Sequence, residues 1–178
     1  IKIIETNNGP FLIHGVTGSG KTEVYMNVIE KMLELGKGTI MLVPEISLTP
    51  QVLGLFRSRF GDLISVLHSS LSDSERYDEW DRLKKGEAKI ALGARSAVFA
   101  PINNLGLVII DEEHDNSYLS DNNPRYNTKE VAEERCKICG AKLILGSATP
   151  NIDSFLKTKT NEYQLISMPE RVSKYKLD

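Results

Sequence analysis

Apolar residues recur along the chain with two periods, and the alternation between them lays out the elements. Short apolar runs at residues 11–14, 39–43, 64–67, 89–92, 107–110, 142–145 and 163–167 predict strands. Helical spacing lies between them. Over residues 21–35, Val24, Val28, Met32 and Leu35 follow one another at intervals of four, four and three, which puts them on one helix face. Gly36 and Gly38 end that helix, and Pro44 ends the strand after it. Val52, Leu55, Phe56 and Phe60 mark a second helix over residues 48–60. Ser72 and Glu75 have the capping-box spacing at the head of a third, residues 72–85. Residues 128–137 and 151–157 predict two more. Leu107-Val108-Ile109-Ile110 has no polar member, as a strand covered on both faces requires. Strands alternating with helices predict an α/β fold, a mostly parallel sheet with helices on both faces.

Composition narrows the class. The chain has 178 residues, 40% hydrophobic, with 22 Lys+Arg against 24 Asp+Glu and a net charge of −2. The length suits one domain, and this balance of apolar content and charge excludes global disorder. The longest apolar runs fall far short of the roughly 18 residues a membrane span needs. Near-neutral charge gives no whole-chain case for nucleic acid, so any such contact must be a local surface. The chain opens on Ile1, and we expect a piece of a longer protein, with residues 1–168 forming one lobe and residues 169–178 a truncated linker. Cys136 and Cys139 stand in a C-x-x-C spacing inside a predicted helix. With no second cysteine pair and no histidine at metal-ligand spacing, a structural role in a reducing cytoplasm is expected, and no zinc. Residues 115–127 form a long irregular stretch, and loops of that length in compact domains tend to be functional or disordered.

Three motifs carry chemistry. Gly15-Val16-Thr17-Gly18-Ser19-Gly20-Lys21-Thr22 matches G-x-x-x-x-G-K-[ST] at every fixed position, between a predicted strand and a predicted helix. Glycines let backbone N–H groups converge on an anion at a helix N-terminus. Lys21 supplies a charge for the outer phosphates, and the Thr22 hydroxyl a ligand for Mg²⁺. Asp111-Glu112-Glu113-His114 follows the most apolar strand. An acid at such a strand end holds Mg²⁺ through its water shell, which suits Asp111, and a neighbouring carboxylate can polarise an attacking water, which suits Glu112. Gly146-Ser147-Ala148-Thr149-Pro150 follows another strand. Its small hydroxyls can bond the acidic cluster or a phosphate, or simply cap a helix.

In this order, each after a strand, the motifs resemble the first motor lobe of the DEAH-like superfamily 2 helicases. Leu42-Val43-Pro44-Glu45-Ile46-Ser47-Leu48-Thr49-Pro50-Gln51, His68-Ser69-Ser70-Leu71-Ser72, Gly93-Ala94-Arg95-Ser96-Ala97-Val98-Phe99-Ala100-Pro101 and Pro124-Arg125-Tyr126 narrow the resemblance to the primosomal replication-restart DNA helicases. It spans about residues 11–155.

The resemblance implies a three-layer RecA-like P-loop NTPase domain. It implies ATP and Mg²⁺ as ligands, with Gly15 through Thr22 and Asp111 binding nucleotide, and Thr22 and Asp111 holding the metal. Lys21, Glu112 and His114 would act in catalysis, with Glu112 the general base. Ser147 and Thr149 would couple hydrolysis to movement. Pro44, Thr49, Gln51, Arg95, Ser96, Tyr118, Arg125 and Tyr126 would meet DNA, the last three from the loop at residues 115–127, where rings stack on bases and Arg pairs with phosphate. A bacterial cytoplasmic, nucleoid-associated enzyme moving 3′→5′ on single-stranded DNA is implied. Its partners would be forked DNA, a second lobe, single-stranded DNA-binding protein and primosome proteins, with no membrane. Two departures stand out. No Leu-Asn-x-x-Gln type adenine-recognition segment precedes the P-loop, and the second lobe and zinc-binding cysteines lie outside this chain, so weak nucleotide binding and poor turnover are expected of it. The alternatives are another superfamily 2 recombination or repair translocase, or a nucleotide-dependent switch that binds a protein partner.

Overall fold

The seven apolar runs become seven parallel strands of one sheet. In the computed structural model, which describes residues 2–6, 9–121 and 123–171, the order is α1 (Lys2–Glu5), β1 (Phe11–Gly15), α2 (Lys21–Glu34), β2 (Gly38–Leu42), α3 (Pro50–Phe60), β3 (Ile64–Leu67), α4 (Asp73–Lys85), β4 (Ile90–Gly93), β5 (Leu105–Ile110), α5 (Thr128–Cys139), β6 (Lys142–Ser147), α6 (Ile152–Lys159) and β7 (Gln164–Met168). The strands lie in the order β3-β4-β2-β5-β6-β1-β7. Side chains alternate between two cores. Phe11, Ile13, Leu107 and Ile109 join Tyr25, Ile29 and Phe56 on one face. Leu12, Val108, Ile110 and Leu145 join Leu83, Ala132 and Cys136 on the other. Each fully buried aliphatic side chain contributes about 1.5–3 kcal/mol, so the helices on both faces hold the sheet between them.

Local chemistry shifts some boundaries. α3 begins at Pro50, not at residue 48, because the Thr49 hydroxyl accepts the Val52 N–H at 3.3 Å and proline loses nothing at a first helical position. Glu45–Ser47 forms a 3-10 turn before it. The capping box is present, with Ser72 accepting from Glu75 N and Glu75 from Ser72 N. α5 runs on to Cys139, where Gly140 in the left-handed region stops it. The 3-10 turn Arg95–Phe99 and the short α1 were not legible in the pattern. Trp80 is half-buried against the second core, and its helix neighbour Tyr77 is 71% exposed. Of the expected linker at residues 169–178, residues 172–178 lie outside the described residues. Among the described residues no helix is long and apolar enough to cross a membrane.

The strand order has one consequence for chemistry. The segments leaving β5, β6 and β1 emerge side by side, and those leaving β3, β4 and β2 emerge beside them in the other half of the sheet. Ligands of parallel α/β sheets bind at these carboxyl ends.

Both cysteines are free. Cys136 is buried, its Sγ directed at the Lys142 carbonyl at 3.5 Å, and burial pushes its thiol up to about 12. Cys139 is exposed. Since the thiolate is the nucleophile, a thiol far above its ordinary value stays protonated and inert at pH 8. Maleimide labelling of the folded chain at pH 8 should modify Cys139 in minutes and Cys136 only on unfolding, as read by peptide mass spectrometry.

Candidate nucleotide site and the adjoining face

The P-loop fills the turn between β1 and α2. Gly18 and Gly20 take φ of 80° and 87°, left-handed values that favour glycine. Gly15 is needed for space, since a Cβ there would lie 2.6 Å from Ser19 Oγ. That hydroxyl is buried and has no hydrogen-bond partner among the described residues. A buried, unpaired donor is costly, and here it belongs to a loop folded to bring donors together, so the residues present fit a phosphate group. Lys21, only 8% exposed, donates to the Gly15 carbonyl at 2.8 Å and lies 3.8 Å from Glu112 Oε1. Val16 and Thr17 form the outer part of the loop, and Thr22 is half-buried at the start of α2.

The acidic box divides its four residues among different tasks. Asp111 Oδ1 accepts the Tyr25 hydroxyl at 2.9 Å. Burial raises its carboxyl above the ordinary range, while the Tyr25 hydrogen bond and Lys21 pull it back down. Glu112 has a φ of 48°, a left-handed value that costs a non-glycine residue on the order of 1–3 kcal/mol. That turn sets its carboxylate near both Lys21 and His114, whose Nδ1 is 3.6 Å from Oε2. Glu113 points the other way. Its side chain is fully buried, taking Asn151 N–H at 2.7 Å and Ser154 Oγ–H at 2.9 Å, with Lys129 at 3.7 Å. It fastens the acidic box to the start of α6. His114 Nδ1 is 2.7 Å from Ser147 Oγ, which also accepts the Thr149 N–H at 2.9 Å. Glu112, His114, Ser147 and Thr149 therefore form one polar chain across the ends of β5 and β6. Among the described residues no group of three or more His, Cys, Asp or Glu is arranged to hold a metal. Thr22 and Asp111 are the pair that would hold Mg²⁺ together with phosphate and water.

The candidate DNA residues scatter more widely. Gln51, Ser96 and Arg125 are exposed. Arg95 donates to the carbonyls of Ser117 and Leu119 and lies 6.0 Å from the centre of the Tyr126 ring. Tyr126, half-buried, packs edge-on to Phe99 at 5.2 Å. Two expectations need correction. Tyr118 is 4% exposed and its hydroxyl donates to the Asp111 carbonyl at 2.7 Å, so its ring does not face a nucleic acid. Pro44 is buried at the end of β2. Thr49 is half-buried, and its hydroxyl accepts the Val52 N–H at the α3 cap while keeping its own proton to donate. Sequence reasoning also missed residues. Phe99 and Arg76 line, with Trp80, His68, Arg95 and Tyr126, a cleft of about 670 Å³, and only the fold brings them together. Tyr25 is not singled out by the sequence pattern, since nothing in its spacing shows that its hydroxyl reaches an acid 86 residues away.

A family profile described as DEAD/DEAH box helicase matches residues 1–157. The replication restart protein PriA of Bacillus subtilis is 52% identical over 163 residues, covering 92% of this chain and 20% of that protein. The replication restart protein PriA of Chlamydia trachomatis is 50% identical over 163 residues, covering 91% of this chain and 22% of that protein. The chain thus spans about a fifth of the length of these curated relatives. Among solved structures, RecG bound to a three-way DNA junction superposes with a TM-score of 0.65 at 24% identity, over 95% of this chain and 22% of that one. That likeness shows the RecA-like helicase-domain fold.

Removing the Glu113 carboxylate leaves the Asn151 N–H without its acceptor and the Lys129 ammonium without its counter-charge, with Ser154 Oγ as its remaining partner. Glu113→Ala should destabilise the chain by about 3 kcal/mol in urea unfolding, with Glu112→Ala changing stability far less and Glu112→Gly raising it by relief of the left-handed strain.

Proposed function

Since the chain belongs to the DEAD/DEAH box helicase family, we propose that it is the ATP-binding motor lobe of a replication-restart DNA helicase. One observation carries the reading: the P-loop, the acidic box and the Ser-Ala-Thr element leave three adjacent strands and meet in one polar cluster of ion pairs and hydrogen bonds. Sequence identity near 50% to two replication restart proteins supports the restart role.

In this reading Lys21 turns from the Gly15 carbonyl towards the outer phosphates, and the P-loop N–H groups and Ser19 hydroxyl bind phosphate oxygens. Thr22 and Asp111 would hold Mg²⁺, which when bound would supply positive charge to the phosphates. Glu112 accepts a proton from the attacking water. His114 and Ser147 pass the change in Glu112 towards Thr149 and α6, and so to the neighbouring lobe. The face beside β2, β3 and β4, with Gln51, Arg95, Ser96, Arg125 and Tyr126, follows single-stranded DNA through stacking and phosphate contacts. Movement is 3′→5′, and the partners are forked DNA, the second lobe of a longer chain, single-stranded DNA-binding protein and primosome proteins in a bacterial cytoplasm. Because a motor closes on ATP between two lobes, this lobe by itself turns over slowly.

In a full-length protein carrying this segment, Glu112→Gln should retain fluorescent-ATP binding within about threefold and lose turnover by roughly 10²–10⁴. Retained turnover would remove Glu112 from the base role. Arg125→Ala with Tyr126→Ala should weaken single-stranded DNA binding about tenfold and flatten its salt dependence. A protein-binding switch would show no such change.

A further inference from the structure

Tyr25 lies four residues after Lys21 and three after Thr22, on the helix that begins at the P-loop. It is fully buried. Its ring crosses beneath β6 to place its hydroxyl 2.9 Å from Asp111 Oδ1. The passage is open because residue 146 has no side chain. A Cβ at Gly146 would lie 1.7 Å from Tyr25 Oη, 2.8 Å from Cζ and 3.3 Å from Asp111 Oδ1. Three elements, α2, β5 and β6, thus meet at one hydrogen bond. A phenylalanine would fill the same core space, so the hydroxyl itself must be explained by what it holds.

We propose that Tyr25 is a positioning residue for the divalent cation of the nucleotide site. Its hydroxyl fixes the rotamer of the Asp111 carboxylate and locks that carboxylate in register with Thr22 on α2, and Gly146 is the clearance that makes this possible. The inference rests on the nucleotide-binding reading above and deepens it. Thr22 and Asp111 come from separate elements, and a rigid aromatic strut from the same helix as Thr22 sets the distance between them. Gly146 immediately precedes Ser147, so movement at the end of β6 would press on the strut. Partners that orient a metal-holding carboxylate typically shift metal affinity by tenfold or more.

The test is fluorescent-ATP binding to the full-length protein across a Mg²⁺ titration, with an EDTA control. Tyr25→Phe should raise the Mg²⁺ concentration for half-maximal binding on the order of tenfold, with binding in EDTA changed less than twofold. Gly146→Ala should shift the Mg²⁺ midpoint in the same direction by displacing the hydroxyl. An unchanged midpoint in Tyr25→Phe overturns the proposal, as does equal weakening with and without Mg²⁺, the mark of simple core damage. Failure of the parent protein to bind nucleotide at any Mg²⁺ concentration would instead sink the nucleotide-site reading itself. Should Tyr25→Phe fold poorly by circular dichroism, Gly146→Ala alone decides: an unshifted midpoint there also overturns it.

Discussion

The insertion of β6 between β5 and β1 is the constraint on which the site depends. Backbone pairing sets Val108 against Leu143, Ile110 against Leu145, and His14 against Ser147. With those registers fixed, the acidic box, Ser147 and the P-loop leave the sheet at the same level. A slip of one residue would turn every side chain of the strand to the other face. Such a slip would move Ile144 from one core to the other and carry Ser147 away from His114. The apolar packing on both faces therefore does more than stabilise the sheet. It forbids the registers in which the polar cluster could not assemble.

The strands, the P-loop turn and the capping box were legible because each depends on neighbours close in sequence. Val24, Val28 and Met32 show a helix face, and Ser72 with Glu75 show a cap, without knowledge of the fold. The misjudged residues were those whose partners are distant. The family resemblance of the loop offers Tyr118 as a base-stacking ring, yet the 3-10 turn Asn116–Tyr118 folds it inward onto the Asp111 carbonyl. Glu113 reads as one acid among three, and only the arrival of α6 makes it a buried acceptor. Gly146 reads as part of a small-residue motif, and its need for space appears only when Tyr25 is placed behind it.

The charge balance also takes a different meaning in three dimensions. The net charge of −2 sums groups with unrelated work. Glu112 faces Lys21 of the P-loop, Asp111 takes the Tyr25 hydroxyl, and Glu113 is buried against the start of α6. Arg59 is tied to Glu23 and Glu30 between α3 and α2. Around the cleft at the ends of β3 and β4, the charged side chains are Arg76 and Arg95 against Glu45, and Glu45 accepts the Ser69 N–H at 3.2 Å. That face is mildly basic and aromatic, as contact with single strands requires, although the chain as a whole is slightly acidic.

A physical link joins that face to the candidate nucleotide site. Arg95 holds the carbonyls of Ser117 and Leu119 on either side of Tyr118, and Tyr118 bonds the Asp111 carbonyl. Asp111 is thus gripped twice, at its backbone by the loop and at its side chain by Tyr25. Arg95 also lies beside Tyr126 on the exposed side. In the proposed reading, a phosphate competing for Arg95 would loosen the loop's hold on Tyr118 and so alter one of the two grips on Asp111. The coupling needs no large movement, because the carboxylate is buried and its neighbours are already in contact. It does need both grips to be stiff, which explains why the residues making them, Tyr25 and Tyr118, are rigid buried rings rather than flexible chains.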